Sequence, residues 1–136
     1  MINKIDLFLR KIFENYLEEE KIKEALSFKE NQKLALLGDK VLDLILIEHE
    51  YNNPKANSES IHIFKEKHHR RKENQILLKR DECLSNYILN NDYEQNPQNK
   101  IGVIRSDRYI EALIGVIYHT NGLNKAREFV KEIYVI

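Results

Sequence analysis

The run Lys33-Leu34-Ala35-Leu36-Leu37-Gly38-Asp39-Lys40-Val41-Leu42-Asp43 constrains this chain more than any other part of it. It lies in residues 31–51, an apolar segment at helical spacing that ends in the breakers Asn52-Asn53-Pro54. A lone carboxylate directly after a glycine in so greasy a helix is costly unless a metal, a cation or hydrogen bonds compensate it. The pattern recurs at Glu111, within Tyr109-Ile110-Glu111-Ala112-Leu113-Ile114-Gly115-Val116-Ile117-Tyr118. Two such acids on two buried helices make a divalent-metal site if the helices pack together. That chemistry points to hydrolysis by metal-activated water. Gly38 is tolerable in a helix if a neighbouring helix crosses there. Acids in this setting also cap helices or form core salt bridges, and that alternative stands beside the metal reading.

A length of 136 residues fits one compact domain, 1–136, with a core of its own. Residues 1–9 hold Lys4 and Asp6 and lack a small-residue cleavage site, which argues against a signal peptide. No long uncharged apolar stretch suggests a membrane span, so the cytoplasm is the expected compartment. The single Cys83 excludes an internal disulfide framework and a cysteine-based zinc site. Lys and Arg balance Asp and Glu at 22 each, so bulk charge gives no support for nucleic-acid binding. A local patch suffices for that, and Lys65-Glu66-Lys67-His68-His69-Arg70-Arg71-Lys72 is the one concentrated basic run. Such a run is equally consistent with a solvated helix face. The vicinal His68 and His69 point in different directions on a helix, which argues against a paired zinc site.

Four glycines and two prolines leave helical spacing dominant, and the expected class is all-α. Ile5, Phe8, Leu9, Ile12, Phe13 and Tyr16 mark a first amphipathic helix, extended or restarted through Ile22, Ala25 and Leu26. After the long helix 31–51, Ser58 or Ser60 is placed to cap a third helix running through Ile61, Phe64 and His68 toward Leu78. A short helix is expected over 81–90 and a loop over 92–102. Helix returns from about Ser106 to His119, Asn121-Gly122 turns the chain, and 123–133 forms the last helix.

These motifs resemble the ribonuclease III catalytic domain. Its signature, of the form N-E-R-L-E-F-L-G-D-x-V-L, is matched by Asn31-Gln32-Lys33-Leu34-Ala35-Leu36-Leu37-Gly38-Asp39-Lys40-Val41-Leu42. Its second motif, D-x-x-E-A-L-I-G-A-I-Y followed by a G-L turn, is similar to Arg108 through Tyr118 and then Gly122-Leu123. Ala25-Leu26-Ser27 and Ala126-Arg127-Glu128-Phe129-Val130 extend the likeness on either side. The size and the A-x-x-G-D motif look like the Mini-III branch, a bare nuclease domain without a double-stranded-RNA-binding domain.

The resemblance implies a helical ribonuclease III-like bundle that cleaves double-stranded RNA in RNA processing, rRNA maturation included, leaving 5′-phosphate and 3′-hydroxyl ends. It assigns Asp39 and Glu111 as catalytic residues and as ligands of Mg²⁺, for which Mn²⁺ substitutes. It implies a homodimer around a shared RNA valley, with Leu36 where the family often has an interface phenylalanine. Arg70, Arg71, Lys72 and Arg108 are the expected RNA contacts. The family carries a pair of metal-facing acids in each motif, whereas here Ala35 and Arg108 stand at the partner positions. Arg108 has two opposed readings: it contacts an RNA phosphate, or it takes a metal's place and abolishes catalysis. The rival to the enzyme is therefore a catalytically degenerate module of the same fold that binds RNA or dimerises. Asp43, four residues after Asp39, shares its helical face and is expected to orient a bound water or to pair with Lys40 or with another helix.

Overall fold

A computed structural model describes residues 15–16, 18–26, 31–69, 106–134 and 136 of the chain. Among the described residues the regular elements are helices: α1 (Glu19–Leu26), α2 (Asn31–Tyr51), α3 (Ser58–His68), α4 (Ser106–Asn121) and α5 (Leu123–Tyr134). No strand occurs among them. Residues 5–13 of the expected first helix, the expected 81–90 helix and the 92–102 loop lie outside the described residues.

Among the described helices α4 is the central one. Tyr109, Ile110, Ala112, Leu113, Ile114, Val116 and Ile117 are all buried, so apolar side chains face inward nearly all round it. Helices α1, α2 and α5 pack against it. Helix α2 contributes Val41, Leu42, Ile45 and Leu46, and α5 contributes Ala126, Phe129, Val130 and Ile133. Each large side chain removed from water in this way contributes roughly 1.5–3 kcal/mol before entropy is counted. Tyr16 packs edge-on against Phe129, with ring centroids 5.5 Å apart. Arg127 of α5 ties back to α2 through an ion pair with Glu48 (2.7 Å).

The crossing of α2 and α4 is unusually close. A Cβ on Gly38 would overlap the carbonyl oxygen of Glu111, and a Cβ on Gly115 would overlap that of Leu34. The two glycines face one another, and each admits the other helix's backbone. The condition under which a glycine belongs inside the 31–51 helix is thus met.

The ends of the helices differ from expectation in three places. Asn57, not Ser58 or Ser60, caps α3: its backbone is extended (φ −133°, ψ 177°), and its side chain accepts from the Ser60 amide at 2.8 Å. Ser60 plays the reciprocal part, its hydroxyl accepting from the Asn57 amide at 2.9 Å. Such a capping box needs its first residue outside helical geometry, which Ser60, already in the first turn, is not. Second, α3 ends at His68, with His69 as its cap at φ −89°, ψ 6° and its amide donated to the Lys65 carbonyl, while residues 70–78 of the expected helix lie outside the described residues. Third, α4 runs to Asn121 before Gly122 turns the chain at φ 92°.

Candidate metal centre

The glycine crossing places the two sequence-singled acids. Asp39 follows Gly38 directly, and the backbone of Glu111 is what Gly38 rests on. Both carboxylates therefore emerge beside one contact between α2 and α4. Helix α3, packed on α2, delivers a third group at its C-terminal end. His69 Nε2 lies 2.9 Å from Asp39 Oδ1 and 3.9 Å from Glu111 Oε1. Its other ring nitrogen, Nδ1, donates to Asp43 Oδ1 at 2.6 Å. The 3.9 Å separation from Glu111 is too long for a hydrogen bond, and we read it as an ion pair.

Glu111 and His69 are the more enclosed members, with side chains 14% and 16% exposed, while Asp39 opens further to solvent. Burial opposes a charge on the His69 ring, but Glu111, Asp43 and Asp39 together overcome it. They hold its pKa up at about 9 against an ordinary 6.5. Three carboxylates then face a single imidazolium, with Lys40 at 3.6 Å from Asp39 Oδ2 on the solvent side. Lys40 is so exposed that it contributes little compensation. The donor set fits a divalent cation: Asp39, Asp43 and His69 bring one ligand atom each within 4.8 Å of one another, with Glu111 3.9 Å from the imidazole, and the imidazolium already stands there as a positive charge.

This raised pKa has a consequence for stability in the absence of metal. With the folded-state pKa above the unfolded one, the imidazolium's stabilising contribution is complete below about pH 6.5 and is lost as pH rises through about 9. Chelator-treated protein is expected to lose melting temperature across that interval, and His69→Gln to flatten the loss. Thermal melts across the same range measure it, and an equal loss in the variant would assign the effect to other groups.

Of the residues singled out in the sequence, Asp39 and Glu111 meet at one imidazole nitrogen, and Asp43 pairs across to the end of another helix, as one of its readings had it. His69 is the member that sequence reasoning missed. His68 and His69 do diverge: His68 lies on Phe64, with ring centroids 4.4 Å apart, while His69 turns to the acids. Arg70, Arg71, Lys72 and the side chain of Arg108 lie outside the described residues. Ala35 is buried at the position where the resemblance expects an acid.

Comparison with known proteins agrees with this architecture. The Ribonuclease-III-like family matches residues 12–136. Ribonuclease 3 of Borreliella burgdorferi is 33% identical over 103 residues, covering 74% of this chain and 41% of its own length. Ribonuclease 3 of Nitratiruptor sp. is 28% identical over 134 residues, covering 93% of this chain and 59% of that protein. The chain thus spans about half the length of the curated relatives it matches. Two solved structures of the nuclease domain of ribonuclease III from Campylobacter jejuni share the fold at 20% identity. One has a TM-score of 0.68, covering 97% of this chain and 95% of the other. The second has a TM-score of 0.70 with 98% and 100% coverage, and concerns structural flexibility in a region of that domain involved in dimer formation. A family match over nearly the whole sequence, on an all-α fold whose two motif helices meet at their acids, shows that the chain belongs to the Ribonuclease-III-like family.

Proposed function

We propose that residues 1–136 form a divalent-metal-dependent endoribonuclease domain that cleaves double-stranded RNA as a homodimer, in cytoplasmic RNA processing or maturation. The observation that carries this reading is the meeting of Asp39 and Glu111, from the two motif helices, at one imidazole nitrogen (2.9 and 3.9 Å). Asp39 and Glu111 are the residues that would hold Mg²⁺ or Mn²⁺. A cation bound there supplies polarisation of the scissile phosphate and a lowered pKa for the attacking water. The carboxylates themselves fix where that charge sits, and the close glycine crossing keeps them from moving apart. Arg70, Arg71, Lys72 and Arg108 are the proposed phosphate contacts, giving salt-dependent and largely sequence-independent affinity for an A-form duplex.

Support for the homodimer comes from the outer face of α2. Leu36 and Tyr51 are 67% and 71% exposed, and Leu44 and Ile47 are exposed between them. At helical spacing these four fall on one stripe, an apolar face that suits a second copy related by a twofold axis. Two sites so related would cut the two strands of one duplex with a stagger.

A second reading, a degenerate RNA-binding member of the family, draws on two observations. Ala35 is buried where an acid is expected, and an imidazolium is lodged among the remaining acids. One experiment separates the two. A labelled RNA duplex is incubated with the protein and Mg²⁺ or Mn²⁺, with and without chelator, and product ends are mapped. Metal-dependent staggered cuts with 5′-phosphates are the expected result. Duplex binding without cutting would put the degenerate reading in its place, and sedimentation of the same sample reports whether it is a dimer.

A further inference from the structure

We infer that His69 is itself a ligand of the cation in this site, through Nε2, with Asp43 as its positioning carboxylate, and that the site prefers a first-row transition ion to Mg²⁺. The inference rests on the reading of Asp39 and Glu111 as metal-holding residues, and adds a nitrogen donor to their oxygens. Donor atoms sharing one ion at bond lengths of about 2.1 Å lie about 3 to 4 Å apart. The separations of Nε2 from Asp39 Oδ1 and Glu111 Oε1, 2.9 and 3.9 Å, fall in that range.

Asp43 meets the opposite edge of the ring, at Nδ1, so it is the residue that orients the imidazole. A carboxylate that takes the Nδ1–H fixes the tautomer whose Nε2 lone pair faces the ion and raises its basicity. Binding replaces the hydrogen that Nε2 directs at Asp39, and that proton leaves to solvent, while Nδ1 keeps its own. The imidazole is largely enclosed and is held at the end of α3 by the backbone bond from His69 N to Lys65 O, so it enters the site already oriented. Mg²⁺ favours oxygen donors and sheds water reluctantly, whereas an imidazole nitrogen suits later first-row ions.

Co²⁺ is the probe. The whole chain is titrated with Co²⁺ by visible absorption, then examined by proton NMR for a paramagnetically shifted, exchangeable imidazole N–H. One such resonance is expected from His69 Nδ1–H, lost in D₂O. His69→Gln should abolish it and weaken Co²⁺ about tenfold or more, while Mg²⁺, measured by competition, changes less than about threefold. Asp43→Asn should weaken Co²⁺ by about 10–100-fold. Melts in chelator verify that the variants fold, and the wild-type resonance decides the matter if they do not. Tight Co²⁺ binding with no shifted N–H, or binding unchanged in His69→Gln, overturns the inference and leaves Asp39 and Glu111 as the metal-holding pair. If Co²⁺ fails to bind but Mg²⁺-dependent duplex cleavage persists, the inference falls alone; if neither metal binds, both readings fall.

Discussion

Asp39→Asn and Glu111→Gln are each expected to slow metal-dependent cleavage of duplex RNA by about 10³-fold or more at saturating Mg²⁺, which corresponds to roughly 4 kcal/mol of lost transition-state stabilisation. The substitutions are nearly isosteric and keep an oxygen acceptor, so what they remove is the charge. That charge is what the site is organised to supply: the carboxylates converge from separate helices, in a partly enclosed place where a charge–charge interaction is weakly screened. Neither change should unfold the domain. His69 keeps Asp43 and one further acid in each variant, and the α2–α4 contact is made by backbone. Initial rates on a labelled duplex, beside far-UV circular dichroism, measure both halves of the statement. On the proposal that the two acids act on one ion, the double variant should be little slower than the worse single one. Folded single variants that retained more than about a tenth of wild-type activity would remove these residues from the ligand role.

How much of this centre is legible in the sequence follows from how local each signal is. Asp39 and Glu111 stand out because each interrupts an apolar helical run, a pattern readable within a dozen residues. Gly38 likewise announces a close helix crossing, though its partner does not declare itself: Gly115 is far along the chain, and only the fold brings the two into backbone contact. Asp43 is readable as a same-face neighbour of Asp39, while its partner is not. His69 lies in a run of basic residues, where a histidine reads as part of a charged surface. Its role arises because α3 ends one residue before it and because α3 packs on α2, and neither is a periodic feature. The cap at Asn57 fails for a related reason. Asn57, Ser58 and Ser60 all carry capping side chains, and the choice among them is made by which residue takes an extended backbone. Sequence pattern therefore yields the acids and the helices that carry them. The cation-like partner between those acids is a product of tertiary packing.

The same crossing that positions the acids should make the fold intolerant of one methyl group. Gly38→Ala and Gly115→Ala are each expected to destabilise the domain by at least about 3 kcal/mol and to lower its melting temperature by about 10 °C or more. The reason is the identity of the atoms in the way. Beyond the Glu111 carbonyl oxygen, a Cβ at position 38 would lie 2.6 Å from the Glu111 carbonyl carbon and 2.8 Å from the Gly115 nitrogen. At position 115 it would lie 3.0 Å from the Leu34 carbonyl carbon and 3.1 Å from the Gly38 nitrogen. All are backbone atoms of a packed helix, so no rotamer can relieve the overlap, and α2 must separate from α4 along the face where Leu42 and Ile45 share Gly38's side of α2 and Ala112 shares Gly115's side of α4. Gly122→Ala is the informative contrast. Its positive φ of 92° makes an alanine strained, yet nothing lies within 4 Å of the added Cβ, so its cost should stay near 1–2 kcal/mol. Separation of α2 from α4 also moves Asp39 away from Glu111, so Gly38→Ala should weaken the binding of Mn²⁺ even at temperatures where the variant is fully folded. Thermal melts of the three variants, with Mn²⁺ affinity measured by electron paramagnetic resonance, test both effects. If Gly38→Ala melts no lower than Gly122→Ala, the helices do not touch through their backbones, and the crossing cannot be what sets the distance between the two acids.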